Sequence, residues 1–218
     1  MPNYAALATK RNELIRRARD GSVFIADASA PVLEELTDET GMLLPLPTGW
    51  KDLGYTSPDG VTFGRETESS EVRSFGSVEP TRVDITSDTI TMSVTAQETS
   101  LTTIGLTTGV DPASLVPDPL TGELSVSKAN LPAPRNYRLL GLFVDEVAEG
   151  EVYLARLMPR ARITEFGETA YSSDGDDPVQ YEMTFTGFVD NSVGYSHRWI
   201  FAGAGWKALL ATMGFTTP

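Results

Sequence analysis

The strongest constraint on this chain is a period-two pattern between Val83 and Gln97. Val83, Ile85, Ile90, Met92, Val94 and Ala96 are apolar at alternating positions, opposed by Thr89, Thr91, Ser93, Thr95 and Gln97, with a turn expected at Ser87-Asp88. Successive side chains of a strand point to opposite faces, so this pattern predicts an antiparallel pair with one apolar face and one hydroxyl-rich face. The chain before it reads the same way. Pro58-Asp59-Gly60 is a turn signal, and Val61 and Phe63 beyond it share a face. From Gly64 to Gly76 charges dominate (Arg65, Glu66, Glu68, Glu71, Arg73), which predicts an exposed hairpin or long loop.

The pattern persists downstream. Tyr137 to Val144 and Val152 to Met158 are apolar on both faces and are expected as central strands, joined by the acidic turn from Asp145 to Gly150. Arg160 to Phe166 continues or restarts a strand. Tyr181, Met183, Phe185, Gly187 and Val189 alternate with polar residues, and Tyr195 to Phe201 is expected to pair with them. Ser22 to Ala26 is a short strand, while the prolines and acids between Asp27 and Pro47 read as a long connection. Gly109 to Gly122 reads as a second loop.

Helical signals are few. Tyr4, Leu7, Ala8, Arg11, Leu14, Ile15 and Ala18 recur at three- and four-residue steps before Gly21, predicting an amphipathic helix over residues 4 to 20. It could pack on its own sheet or dock on a neighbour. Short helices are expected over Ser100 to Leu106, with a capping oxygen from Glu98-Thr99-Ser100, and over Trp206 to Met213.

At 218 residues, the chain can bury roughly 70% of its unfolded surface without staples. No internal repeat or linker divides it, so a single domain over residues 1 to 218 is expected. It contains no cysteine, which removes disulfides, thiolate metal clusters and a cysteine nucleophile. No stretch reaches the roughly 20 apolar residues that cross a bilayer, and no secretion signal is legible, so the expectation is a protein soluble where it is made, with no membrane partner. The net charge is −13, yet residues 1 to 21 carry five basic side chains against two acidic ones. So acidic a body repels a phosphate backbone rather than binding it.

Chemistry is sparse. His197 is the only histidine, expected packed or at the surface. Gly203-Ala204-Gly205 before a helix mimics part of a dinucleotide fingerprint but lacks the second strand and distal acid, and reads as a tight turn. Asp174, Asp176 and Asp177 form part of an acidic loop over residues 165 to 177 without the spacing of a calcium loop. No catalytic, metal or cofactor-binding residue is assigned, and no cofactor is expected.

The segment Trp50-Lys51-Asp52-Leu53-Gly54-Tyr55, Asp59-Gly60-Val61-Thr62-Phe63, Gly76-Ser77-Val78-Glu79-Pro80 and Asp84-Ile85-Thr86-Ser87-Asp88-Thr89 resembles the core motif of the major tail tube proteins of long-tailed bacteriophages. The resemblance implies a mainly β (α+β) fold, an antiparallel β-sandwich or partly open barrel of the tail-tube type with an N-terminal, a mid-chain and a C-terminal helix. It further implies a non-enzymatic subunit of the virion tail, assembled in the host bacterial cytoplasm. Such subunits form hexameric rings, whose strands join between copies, stacked into a conduit for genome ejection. The implied partners are other copies, the tape measure, tail tip and tail terminator proteins, and DNA that passes without specific binding. The residues expected at contacts between copies are Arg11 and Arg16 on the arm, and Arg65, Glu66, Glu68, Val72, Arg73 and Phe75 on the 64–76 loop. Two other readings stay open: a monomeric carbohydrate- or receptor-binding sandwich using Trp50, Tyr55 and Trp206 for stacking, and a carboxylate-dependent glycosidase.

Overall fold

A computed structural model describes residues 3–128, 130, 134–171, 173 and 178–216. Eight strands form one antiparallel sheet that does not close: β1 (Asp20–Asp27), β2 (Lys51–Asp52), β3 (Thr56–Val72), β4 (Arg82–Ala96), β5 (Tyr137–Val147), β6 (Gly150–Phe166), β7 (Tyr181–Gly187) and β8 (Arg198–Ala202). Their order is β2-β1-β5-β6-β7-β4-β3, with β8 added to β6. The sheet curls until its two ends, near Asp20 on β1 and Ser57 on β3, line the same groove. The fold is thus mainly β and partly open, as expected.

Alternation decides what each face buries. Ile25, Leu139, Met158, Met183, Phe185, Met92 and Val94 meet inside the curl, with Leu106 from helix α2 (Leu101–Thr108) completing that core. On the opposite face of β5 and β6, Leu140, Leu142, Tyr153, Ala155 and Leu157 are covered by Leu33 and Leu36 of the connection after β1. Two-sided burial explains why β5 and β6 read as continuous apolar runs.

β6 changes partner midway along one edge. Tyr153 to Leu157 pair with β8, whereas Ala161 to Phe166 pair with β7. Pro159, which has no N–H to donate, sits at the changeover, beside a register shift against β5. Arg138 holds this bend: its guanidinium donates to the carbonyls of Ala30 and Pro159 and to the Asp190 carboxylate at 2.6, 2.7 and 2.9 Å. The expected pairing of Tyr195 to Phe201 with β7 is therefore corrected. The other edge of β7 belongs to β4, leaving β8 the free half of β6.

Further expectations change at the N-terminus and in the turns. The helix over 4 to 20 is reduced to one turn, α1 (Tyr4–Leu7), and a 3₁₀ turn at Asn12–Leu14. Tyr4, Leu7 and Ile15 are exposed, so the apolar stripe finds no surface to bury against within the chain, and an unburied helix of this length is marginal in water. Instead the segment runs along the end of β5, with Arg19 N–H donating to Val144 O at 2.9 Å. Ser87 and Asp88 lie within β4 rather than in a turn, and Pro58-Asp59-Gly60 forms an outward bulge of β3. The mid-chain helix follows its expected cap, Ser100 Oγ accepting from Thr103 N–H at 3.1 Å. The last helix, α3 (Ala204–Met213), starts at Gly203, whose φ of 104° and contact with the Glu151 carbonyl leave no place for a side chain.

Candidate assembly surface

The β3–β4 hairpin divides into two halves. Its inner half, Val61 to Thr67 against Asp88 to Val94, lies at the end of the sheet, and β7 joins β4 only from Thr91 onward. Beyond that point the outer half has no neighbouring strand among the described residues and extends roughly 30 Å from the body, at about 3.3 Å per residue. A register shift at Glu68/Ser69, with Thr86 as the extra residue, keeps Val83 and Ile85 on the same face as Ile90 and Met92. The apolar stripe therefore runs out of the core into solvent. Ile90 and Met92 are buried, whereas Val83 and Ile85 are 58% and 71% exposed, and Phe75 and Val78 at the tip are fully exposed.

An isolated two-stranded hairpin is marginally stable in water. Here the inner end is fastened by Arg65, which donates from Nε and a terminal nitrogen to the two Asp88 carboxylate oxygens at 2.8 and 2.6 Å. These hydrogen bonds hold the Asp88 carboxyl below its usual range and raise Arg65. The local pairs Arg73–Glu71 at 3.5 Å and Arg82–Asp84 at 2.7 Å link residues two apart in sequence and add little in water. As the last strand in the sheet order, β3 also has one edge without a strand partner, 17 residues long, among the described residues. Such an edge templates pairing with further chain.

The opposite face of this end of the sheet is hydroxylic. Ser93 and Thr184 hydroxyls lie 2.8 Å apart, as do those of Thr164 and Thr186, while Glu66, Glu68 and Glu182 add exposed carboxylates.

The expected contact residues are spread over two places. Arg65, Glu66, Glu68, Val72, Arg73 and Phe75 lie together on the hairpin, all exposed. Arg11 is exposed near the N-terminus, but Arg16 is half-buried, 3.6 Å from the buried Asp145 carboxylate, and donates to Glu13 O at 2.8 Å. Val83, Ile85 and Val78 were not singled out in the sequence, because alternation marks a face as apolar without saying whether anything covers it.

Groups with chemical potential are structurally engaged. His197 is packed: its ring meets Trp199 edge-on at 4.1 Å, both nitrogens are buried without hydrogen-bond partners, and burial aided by Arg156 pushes its pKa down to about 4. It is neutral near pH 7, and no carboxylate pairs with it among the described residues. Tyr153 donates to Glu151, and burial followed by that hydrogen bond raises the phenol to about 12. Among the described residues no three His, Asp or Glu side chains converge as a metal site. The 165–177 acidic loop lies partly outside the described residues, Asp174, Asp176 and Asp177 included. The proposed stacking aromatics do not converge either: Trp50 donates its indole N–H to Pro31 O at 3.0 Å, Trp206 stacks on Phe201 at 5.0 Å, and Tyr55 stands elsewhere, exposed.

A curled sheet with a strand edge unpaired among the described residues and an apolar hairpin standing in solvent leaves surface suited to contact with other polypeptide. Residues 8–205 match the family model described as phage tail tube protein, and the chain belongs to that family. It is a structural component of the virion tail. No curated protein matches the chain. Among solved structures, a chain of the "Virion of native gene transfer agent (GTA) particle" is 11% identical, with 76% of this chain and 98% of that chain covered and a TM-score of 0.30.

Proposed function

We propose that copies of this chain assemble into hexameric rings that stack into the tail tube and form the conduit for genome ejection. The observation that carries this reading is the outer half of the β3–β4 hairpin, whose apolar residues stand in solvent and whose outer edges have no strand partner among the described residues. Pairing along the β3 edge joins sheets between copies and removes the exposed edges. Residues 64–76 with the strand facing them reach the adjacent subunits, through Arg65, Glu66, Glu68, Val72, Arg73 and Phe75. Arg11 serves as an arm contact, while Arg16 is committed to Asp145.

The hydroxyl and carboxylate face bearing Thr89, Thr91, Ser93, Thr184, Glu66 and Glu182 faces the lumen in this reading. Six copies multiply a charge of −13, so DNA phosphates are repelled within a Debye length of about 8 Å and slide without specific binding. The whole chain, residues 1 to 218, acts as one tail-tube domain without enzymatic activity. Assembly takes place in the host bacterial cytoplasm, with the tape measure, tail tip and tail terminator proteins as further partners.

Replacing residues 69–86 by Asn-Gly, which suits a two-residue turn between Glu68 and Ser87, tests the reading. Negative-stain images of concentrated wild-type protein are expected to show tubes or six-membered rings, and the shortened variant to remain a folded monomer by circular dichroism and light scattering. Intact tubes from the shortened variant overturn it.

A further inference from the structure

Inside the curl, next to the packed core, a cleft of about 500 Å³ stays open. Phe63, Phe143, Leu154, Arg156, Trp199 and Phe201 form its walls. Cross-strand pairing explains why they meet: Arg156 faces Trp199, Leu154 faces Phe201, and Gly141 faces Arg156 from β5. A side chain at Gly141 would run into the Phe63 and Phe143 rings, so the glycine makes the room they occupy.

Arg156 is the unusual member. Its guanidinium lies 4.8 Å from the Phe63 centroid and 5.5 Å from that of Trp199, yet no carboxylate lies within ion-pair distance among the described residues. The other half-buried or buried arginines all have oxygen partners: carboxylates for Arg16, Arg135 and Arg138, backbone carbonyls for Arg198, and the Asn136 amide oxygen for Arg160 and Arg162. Burial lowers the Arg156 pKa, and the neighbouring His197 is neutral. A half-buried cation flanked by aromatic rings suits a ligand that brings both a carboxylate and an apolar group.

We propose that this cleft receives the β3–β4 hairpin tip of a second copy, Phe75 entering among the aromatic rings and the Glu79 carboxylate pairing with Arg156. The tip has the required chemistry: Phe75 and Val78 are fully exposed, and the Glu79 carboxylate has no partner among the described residues. The N-terminal segment also exposes apolar groups, but its surplus of arginines repels Arg156. Capture within one chain is excluded by connectivity. Phe63 and Phe75 belong to one continuous hairpin arm, so the tip lies about 40 Å from its own cleft. The inference rests on the reading that the chain polymerises, and specifies where the hairpin lands.

A charge swap tests it. Arg156→Glu and Glu79→Arg are each expected to give folded protein with at least tenfold less polymer in a sedimentation assay, and the double variant, or an equal mixture of the two singles, to recover polymer. Because Arg156→Glu could disturb folding, a second arm leaves Arg156 in place. The chain has no native cysteine, so mixing Phe75→Cys protein with Trp199→Cys protein under mild oxidation is expected to give a disulfide-linked dimer of the two. Single variants that polymerise like the wild type, or a mixture that gives no linked dimer, overturn the landing site. If the 69–86 replacement blocks polymerisation in the same assay, the assembly reading survives that loss; if it polymerises, both fall.

Discussion

The two halves of the β3–β4 hairpin carry the same sequence pattern and meet opposite fates. In the inner half, Ile90, Met92 and Val94 are buried in the core and Phe63 is partly buried against it; in the outer half, Val83, Ile85 and Phe75 lie on the same ribbon with nothing over them among the described residues. The bulge at Thr86 keeps both halves in phase. A protein that wanted only a stable monomer would end the hairpin near Glu68, since bare apolar residues on a long edge invite aggregation. The comparison teaches that one strand pattern can specify a core within the chain and, further along, an apolar surface left in solvent.

The largest expected contrast is at Met92, packed against Phe185 across the β4–β7 pairing and fully buried. Met92→Ala should lower the unfolding free energy by about 2–5 kcal/mol in urea denaturation. A similar loss, about 3–5 kcal/mol, is expected for Arg138→Ala, which leaves the Asp190 carboxylate half-buried without its partner at the β6 bend. Either change acts on the body and should reduce assembly only by unfolding the subunit.

A smaller effect comes from pH. His197, packed against the inner half at Phe63, has a folded pKa of about 4, below the unfolded value near 6.5. The unfolded chain therefore takes up the proton first, so stability is intact above pH 6.5 and falls as the pH drops from 6.5 to 4. Allowing for partial solvent screening, the loss amounts to about 1–2 kcal/mol. His197→Phe should flatten that part of the pH profile in thermal melts.

The smallest effect on folding should accompany the sharpest effect on assembly. Ile85→Ser in the outer half is expected to change monomer stability by no more than about 0.5 kcal/mol, while reducing tube formation seen by electron microscopy. If Ile85→Ser destabilises the monomer as much as Met92→Ala does, the division between halves is wrong.

Much of this organisation was legible in the residues. Alternation marked β4 and β7, two-sided apolar runs marked β5 and β6 as central, and the Ser100 cap marked α2. The exposed hairpin was visible in the charges between Arg65 and Arg73. Two signals misled. The helical spacing of Tyr4 to Ala18 describes a stripe that needs a surface, and Tyr4, Leu7 and Ile15 find none, so only single turns form at Tyr4–Leu7 and Asn12–Leu14 before Arg17 to Arg19 run beside β5. Tyr195 to Phe201 alternates well enough to pair with β7, but pairing depends on which edges are vacant, and Pro159 together with Arg138 made that choice at the β6 bend. The Arg156 cleft was invisible because its walls come from β3, β5, β6 and β8, and no short-range pattern records that an arginine lacks a carboxylate.

Local side-chain chemistry was enough to dictate an antiparallel, cysteine-free, acidic β protein with a motif of the tail tube family, because face alternation and turn residues act over a few neighbours. Only the tertiary structure decided which part of an apolar stripe is buried and which stands in solvent, where β8 docks, and that Arg156 rests among aromatic rings without a carboxylate partner. Those outcomes depend on distances between residues far apart in the chain, set by the curl of the sheet and by which edges it leaves open.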